Sequence, residues 1–254
     1  MRILLISTYE LGHQPLHVAT AASALLAEGH EVRCIDLAIE TWHEDSVQWA
    51  DKVALSVPMH TAMRLAQRAA HRIRGERPHL PIAFFGLYAG LEHHDSRDGV
   101  VNATFAGSYE ARLVEWAQNI DDHRTSPKSG VDLSRGANPL PARHLLPNLK
   151  RYAHLAITGE ERPVGYVEAS RGCVHTCRHC PVPIIYDGRI RIVDPDTVLA
   201  DIDQLANAGA RHITFGDPDF LNGVRHSRRI VEAMHANHPD LTFDMTAKVE
   251  HILE

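Results

Sequence analysis

The sequence predicts an α/β protein in which a doubly wound parallel sheet is followed by the first half of a (β/α) barrel. Three features predict this fold. Strands and helices alternate over the first 120 residues, a loop with three cysteines follows an apolar run at 164–167, and strands and helices alternate again after that loop. Such alternation favours parallel βαβ units with right-handed crossovers. We therefore predict domains at 1–120 and 164–254, joined by a linker at 121–163.

The first domain is assigned from apolar runs of strand length and from helical patterns between them. The predicted strands are 2–8, 31–35, 53–57, 82–85 and 103–106, and the predicted helices are 16–28, 61–74 and 110–120. In the second of these helices, Met63, Ala66, Ala70 and Ile73 recur on one face, as expected of a stripe that packs on a sheet. Ligands of doubly wound sheets bind beyond the carboxyl ends of the strands.

The linker is rich in proline, glycine and charged residues, which break the alternation. We expect it to cross from one domain to the next, and we expect its polar stretch at 124–134 to be disordered.

The second domain repeats the strand and helix alternation. A helix is predicted to start with Asp194 as its N-cap and Pro195 in its first turn, and to end at Gly209. A strand at 212–215, a helix at 224–236 and a strand at 241–245 follow. Three βα units cannot close a barrel. We therefore expect a truncated barrel, either a fragment or a chain completed by another, with its last strand as a bare edge.

Composition excludes several classes of protein. The 254 residues are 44% hydrophobic and 23% charged, as in soluble globular proteins, and the net charge of −6 argues against a dedicated nucleic-acid surface. No apolar run approaches the roughly 20 residues that span a bilayer, so no membrane partner is expected. The N-terminus enters a strand directly and does not resemble a signal peptide. We expect a reducing, cytoplasmic setting.

Three of the four cysteines, Cys173, Cys177 and Cys180, lie within eight positions with the spacing Cys-x3-Cys-x2-Cys. Three thiolates on one loop can hold three irons of a [4Fe–4S] cluster and leave the fourth iron open to a chelating ligand. The alternative is a Cys3His zinc site that uses His175 or His179. Most of the nineteen histidines are expected to face solvent, and no other metal site is assigned to them.

This spacing after a strand resembles the radical S-adenosylmethionine (radical-SAM) superfamily. The resemblance implies that Cys173, Cys177 and Cys180 bind the cluster and that the open iron binds S-adenosylmethionine. An electron from the cluster then breaks a carbon–sulfur bond of the sulfonium group, which releases a 5′-deoxyadenosyl radical. It also implies an electron donor such as flavodoxin or ferredoxin as a partner. No catalytic residue beyond the cluster ligands is assigned.

The resemblance also implies residues that contact S-adenosylmethionine. Gly216, Asp217 and Pro218 follow the second barrel strand, where the family has a Gly-Gly-Glu motif that binds the amino group of this cofactor. His179 stands where the family has an aromatic residue against the adenine. A histidine can stack there, or it can be an ordinary loop residue.

The first domain resembles the Rossmann-like, cobalamin-binding domain that precedes the barrel in one radical-SAM class. On this resemblance Ser56 and Gly86, at the ends of two strands, are candidate cobalamin contacts. The Asp-x-His-x-x-Gly motif, whose histidine ligates cobalt, is absent, as is usual in that class. The alternative is an accessory domain that binds nothing or only positions a substrate. Cys34 is interpreted as a core residue.

Taken together, the sequence predicts a radical-SAM enzyme, or part of one, that catalyses cobalamin-dependent methylation or a rearrangement of an unassigned substrate. The alternative is a non-catalytic iron–sulfur or zinc-binding protein with a Rossmann-like accessory domain.

Overall fold

A computed structural model describes residues 1–91, 99–119, 130–133, 138–157 and 159–253. The chain divides into two compact units. The first unit comprises Met1–Leu11, His17–Gly136 and Pro141–Leu146, and the second comprises Gly12–Leu16, Ala137–Leu140 and Pro147–Glu254. Residues 121–129, 134–137 and 158 of the predicted linker lie outside the described residues.

The first unit is built on a six-stranded parallel sheet with the order β2-β1-β3-β4-β5-β6. Its strands are β1 (Arg2–Ser7), β2 (Glu31–Asp36), β3 (Lys52–Ser56), β4 (Ile82–Phe85), β5 (Ala103–Gly107) and β6 (Gly130–Asp132). Its helices are α1 (Leu16–Ala27), α2 (Glu44–Trp49), α3 (His60–Glu76) and α4 (Glu110–Gln118). The strand order reverses between β1 and β3, which confirms the predicted doubly wound fold.

Apolar cores cover both faces of this sheet, which is why its strands read as continuous apolar runs. Alternate residues of β1 enter different cores: Ile3 and Leu5 pack in one, and Leu4 and Ile6 in the other. Helix α3 covers the second core, and the four residues of its predicted apolar stripe are all buried there.

Two elements of this unit differ from the sequence prediction. The short helix α2 was not predicted, and β6 lies within the stretch 124–134 that was expected to be disordered. β6 pairs in parallel with β5, and the Ser108 amide donates to the carbonyl oxygen of Asp132 at 2.7 Å. A three-residue strand is too short to show a period in sequence, so only its pairing with β5 reveals it.

The second unit holds a four-stranded sheet of order β12-β11-β8-β7 and a two-stranded antiparallel hairpin, β9 with β10. Its strands are β7 (His154–Ile157), β8 (Glu160–Val167), β9 (Ser170–Gly172), β10 (Ile190–Ile192), β11 (His212–Phe215) and β12 (Thr242–Met245). Its helices are α5 (Val182–Tyr186), α6 (Pro195–Asn207), α7 (Val224–Asn237) and α8 (Glu250–Leu253). The strands β8, β11 and β12 are parallel, as a partial barrel requires.

Local signals position the elements of this unit as predicted. The Asp194 side chain caps α6 by accepting from the amides of Asp196 and Thr197. The α6 residues Ile202 and Leu205 then pack in one core with β8, β11 and α7. β12 is the outer strand, and all four of its residues are exposed. No helix in the described part of the chain is long and apolar enough to cross a membrane.

Candidate functional site

The cysteine loop starts from the β9–β10 hairpin, at the carboxyl end of the parallel strand β8. Gly172, the last residue of β9, has φ +80°, and a Cβ there would lie 2.3 Å from the carbonyl oxygen of Arg189 and 2.7 Å from the ring of Tyr186. Only glycine fits this close approach. The hairpin therefore fixes the backbone immediately before the first cysteine.

All three cysteines of the loop are free thiols; Cys173 is buried and Cys177 and Cys180 are half-buried. The Cys180 amide donates to the Cys177 carbonyl at 3.2 Å, so the last two cysteines share one tight turn. The Asn222 amide nitrogen Nδ2 donates to Cys173 Sγ at 3.3 Å. Three free thiols on one fixed loop are a donor set that fits three corners of an iron–sulfur cluster.

The carboxylate of Asp217 binds the start of this loop. One oxygen accepts from the amide of Ala169 at 2.9 Å, and the other accepts from the hydroxyl of Ser170 at 2.6 Å. Burial raises the pKa of Asp217 to about 7, although both hydrogen bonds favour the ionised form and oppose this shift. Asp217 thus joins the end of β11 to β9.

The other residues assigned to S-adenosylmethionine lie in different surroundings. Gly216 passes against the Tyr166 ring, because a Cβ there would lie 1.9 Å from the Tyr166 hydroxyl oxygen. Pro218 is half-buried and His179 is exposed. Contacts of these three residues and of Asp217 with S-adenosylmethionine stay predictions.

A buried ion pair lies just before the first cysteine. Arg171 Nε donates to Glu168 Oε2 at 3.1 Å, and each side chain is only 9% exposed. This ion pair joins Glu168, the residue after β8, to Arg171 within β9, and so holds the chain between β8 and the first cysteine.

His175, which the sequence offered as a zinc ligand beside the cysteines, meets a second histidine, His251, that was left among the solvent-facing residues. His175 Nε2 and His251 Nε2 approach Asp219 Oδ2 at 3.2 Å and 3.0 Å, and the two nitrogens lie 3.4 Å apart. Asp219 and His251 follow β11 and β12, so both belong to the carboxyl ends where barrel chemistry gathers. That rule is the one sequence signal that could have indicated them.

In the first unit, the two candidate cobalamin contacts lie at the carboxyl ends of β3 and β4. Ser56 Oγ donates to Glu10 Oε1 at 3.2 Å, and both residues are buried. Gly86 has φ +113°, and a Cβ there would lie 3.2 Å from the carbonyl carbon and oxygen of Val57. Both positions lie at the edge where doubly wound sheets bind ligands. Their contact with cobalamin stays a prediction.

The fourth cysteine, Cys34 of β2, packs against the apolar core of the first unit. Burial raises the pKa of its thiol to about 12. The thiol stays protonated at neutral pH and is a poor metal ligand, since metals bind the thiolate.

The fold and the site together define an α/β protein with a doubly wound first unit and a partial barrel that carries a three-cysteine loop. Residues 167–251 match the family model described as the Radical SAM superfamily. The chain is 25% identical to the hopanoid C-3 methylase of Methylococcus capsulatus, over 87% of this chain and 45% of that protein. It is 22% identical to the hopanoid C-2 methylase of Rhodopseudomonas palustris, over 78% of this chain and 36% of that protein.

Among solved structures, the fold matches the radical S-adenosylmethionine methyltransferase TsrM from Kitasatospora setae with cobalamin and a [4Fe-4S] cluster bound. The TM-score is 0.67 at 16% identity, over 94% of this chain and 52% of that one. A second TsrM structure, with tryptophan substrate and an analogue of S-adenosylmethionine, matches with the same values. The chain spans at most about half the length of these proteins.

The radical-SAM match at residues 167–251 covers the cysteine loop and the parallel strands β11 and β12, and the fold match to TsrM extends over 94% of the chain. This confirms the family predicted from the cysteine spacing.

Proposed function

We propose that the second unit is the cofactor-binding part of a radical-SAM enzyme. In this proposal Cys173, Cys177 and Cys180 bind three irons of a [4Fe–4S] cluster, and the fourth iron is left for the amine and carboxylate of S-adenosylmethionine. The observation that carries the proposal is that three free thiols share one loop at the carboxyl end of a parallel strand. When bound, the cluster supplies the electron that cleaves S-adenosylmethionine to a 5′-deoxyadenosyl radical.

The chain's own residues would position this cofactor rather than react. Asp217 and the Glu168–Arg171 pair hold the backbone that leads into the loop. Asn222 donates a hydrogen bond to the sulfur of Cys173, and such bonds tune the reduction potential of a cluster. Cys173 is buried, so its side of the loop would exclude water from a bound cluster.

For the whole protein we propose cobalamin-dependent methyl transfer, with the corrinoid at the carboxyl edge of the first sheet near Ser56 and Gly86. Two relatives named as methylases and a fold match to a cobalamin-bound methyltransferase support this choice over a rearrangement. The reaction needs an electron donor of the flavodoxin or ferredoxin class and a reducing, cytoplasmic setting for the thiolates.

The first experiment is anaerobic reconstitution of the full chain with iron and sulfide, followed by absorption and electron paramagnetic resonance spectra with and without S-adenosylmethionine. We expect a brown protein whose reduced signal shifts when S-adenosylmethionine is added. A cluster whose signal does not shift would overturn the open-iron assignment and favour a non-catalytic iron–sulfur protein. A colourless protein that binds zinc would overturn the cluster itself.

Corrinoid binding is tested separately on the full chain. Hydroxocobalamin is added, and the absorption of the protein peak is recorded after gel filtration. Co-elution of the corrinoid with the protein is expected, and a protein peak free of corrinoid would leave the first unit as an accessory domain.

A further inference from the structure

One group of metal-ligating atoms converges in the described part of the chain: His175, Asp219 and His251. Their Nε2, Oδ2 and Nε2 atoms form a triangle with sides of 3.0, 3.2 and 3.4 Å. The carboxylate is 1% exposed and the two imidazoles are about a quarter exposed. The three groups therefore form a small polar site with one buried wall and one open side.

This triangle has the size that one transition-metal ion requires. An ion about 2.1 Å from each donor, the usual distance for imidazole nitrogen and carboxylate oxygen, would lie about 1 Å above the plane of the triangle. Such an ion would accept three lone pairs at once. Hydrogen bonding alone would direct both imidazole N–H groups at one oxygen and leave the two donors 3.4 Å apart.

Backbone hydrogen bonds orient the Asp219 carboxylate so that one oxygen faces the two imidazoles. Its other oxygen, Oδ1, accepts from the Leu221 amide at 3.3 Å, which leaves Oδ2 directed at the two imidazoles. Phe220, the residue after Asp219, donates its backbone N–H to the Thr246 carbonyl at 2.8 Å. This bond links the loop after β11 to the end of β12. Ligating carboxylates are commonly oriented by such hydrogen bonds.

We propose that His175, Asp219 and His251 form a second metal site, distinct from the three cysteines, that takes a divalent transition-metal ion such as Zn²⁺ or Fe²⁺. Two imidazoles and one carboxylate select these ions over Mg²⁺ and Ca²⁺, which prefer oxygen ligands. The three protein ligands leave positions for water or for an anionic ligand. The ion would fasten the cysteine loop, which carries His175, to the carboxyl ends of β11 and β12.

The test uses Zn²⁺ and the full chain in two forms. The first form carries the reconstituted cluster, so that the loop thiols are occupied. The second is the triple variant Cys173→Ala, Cys177→Ala and Cys180→Ala, whose loop has no thiols, so the result does not depend on cluster assembly. Both are dialysed against Zn²⁺, and the bound ion is examined by X-ray absorption at the zinc edge.

We expect one Zn²⁺ per chain with only nitrogen and oxygen neighbours at about 2.0–2.1 Å. His251→Ala should weaken binding at least roughly tenfold, and Asp219→Asn should do the same. His235→Ala removes an exposed histidine of α7 and should leave the affinity unchanged.

Three results would overturn the proposal. They are a sulfur neighbour at about 2.3 Å in the cluster-loaded form, an affinity that His251→Ala does not change, and no bound Zn²⁺ in either form. His251 is partly exposed in a short helix, so this variant should fold even if the buried Asp219 variant does not. Circular dichroism of each variant checks folding.

Discussion

Asp217 accepts a hydrogen bond of 2.6 Å from the hydroxyl of Ser170, which lies 47 positions earlier in the chain. The bond joins the residue after β11 to the strand that leads into the cysteine loop. The same carboxylate also accepts from the Ala169 amide, so both of its oxygens serve the loop backbone. Ionisation of Asp217 therefore changes the strength of both hydrogen bonds to the residues that lead into the loop.

Replacing Asp217 by asparagine should change how stability depends on pH, because the amide side chain cannot ionise. The folded-state pKa of about 7 exceeds the usual 3.8, so the folded state binds more protons between these values and the wild type loses stability as pH rises from about 4 to about 7. Between about pH 5 and pH 8, the free energy of unfolding of the wild type should fall by about 3 kcal/mol relative to Asp217→Asn.

Urea unfolding of the apoprotein, followed by circular dichroism at the two pH values, measures this difference. Asp196→Asn is the matched control, since that carboxylate is 84% exposed and its replacement should leave the wild-type dependence in place. If the free energies of unfolding of Asp217→Asn and the wild type change equally with pH, the raised pKa of Asp217 is contradicted.

Cys177→Ala should abolish the cluster, while Cys34→Ala should retain it. The first change removes a thiolate ligand from the loop, and the second removes a half-buried thiol whose raised pKa keeps it protonated. Iron and acid-labile sulfide per chain, measured after anaerobic reconstitution, distinguish the two variants. Far-ultraviolet circular dichroism should show that the first unit remains folded in both. Unchanged iron in Cys177→Ala would refute the ligand assignment.

Asn222→Leu should lower the reduction potential of the cluster without removing it. The Nδ2–H donor stabilises added negative charge on the Cys173 sulfur, and its loss makes reduction less favourable. A redox titration followed by electron paramagnetic resonance gives the midpoint. Asn237→Leu, at the exposed end of α7, is the control and should leave the midpoint in place. A midpoint that rises in Asn222→Leu would contradict the predicted direction.

Gly107→Ala should destabilise the first unit more than Gly29→Ala. Both glycines have φ +76°, a conformation that costs other residues about 1–2 kcal/mol. A Cβ at Gly29 meets nothing within 4 Å, whereas one at Gly107 would lie 2.0 Å from the Asp132 carbonyl oxygen. We therefore expect the additional loss of the β5–β6 pairing in Gly107→Ala, about 1–3 kcal/mol beyond the control. Thermal unfolding of both variants tests this; equal losses would contradict it.

Much of the fold was predictable because buried parallel strands are long apolar runs. β1, β4 and β11 begin and end within about one residue of the predicted bounds. The elements that were missed, among them β6, β7, β9, β10 and the short helices α2 and α5, are three to six residues long. The strands among them exist because a neighbouring strand pairs with them, and pairing partners far apart in sequence leave no local pattern.

The site was predictable where its chemistry is contiguous. The spacing of Cys173, Cys177 and Cys180 indicates a shared metal centre without any knowledge of the fold. The convergence of His175 with His251, 76 positions away, depends on the order of β8, β11 and β12 in the sheet. The place of Tyr166 against Gly216 depends on the same pairing, which is why neither could be predicted from the sequence.

Position 172, immediately before the first cysteine, shows from sequence alone whether a related chain can build the β9–β10 pairing. Any side chain there would strike the Arg189 carbonyl and the Tyr186 ring, so the β9–β10 hairpin and the cysteine spacing are compatible only with glycine. A chain with a bulky residue at that position must present its three cysteines from a differently built loop.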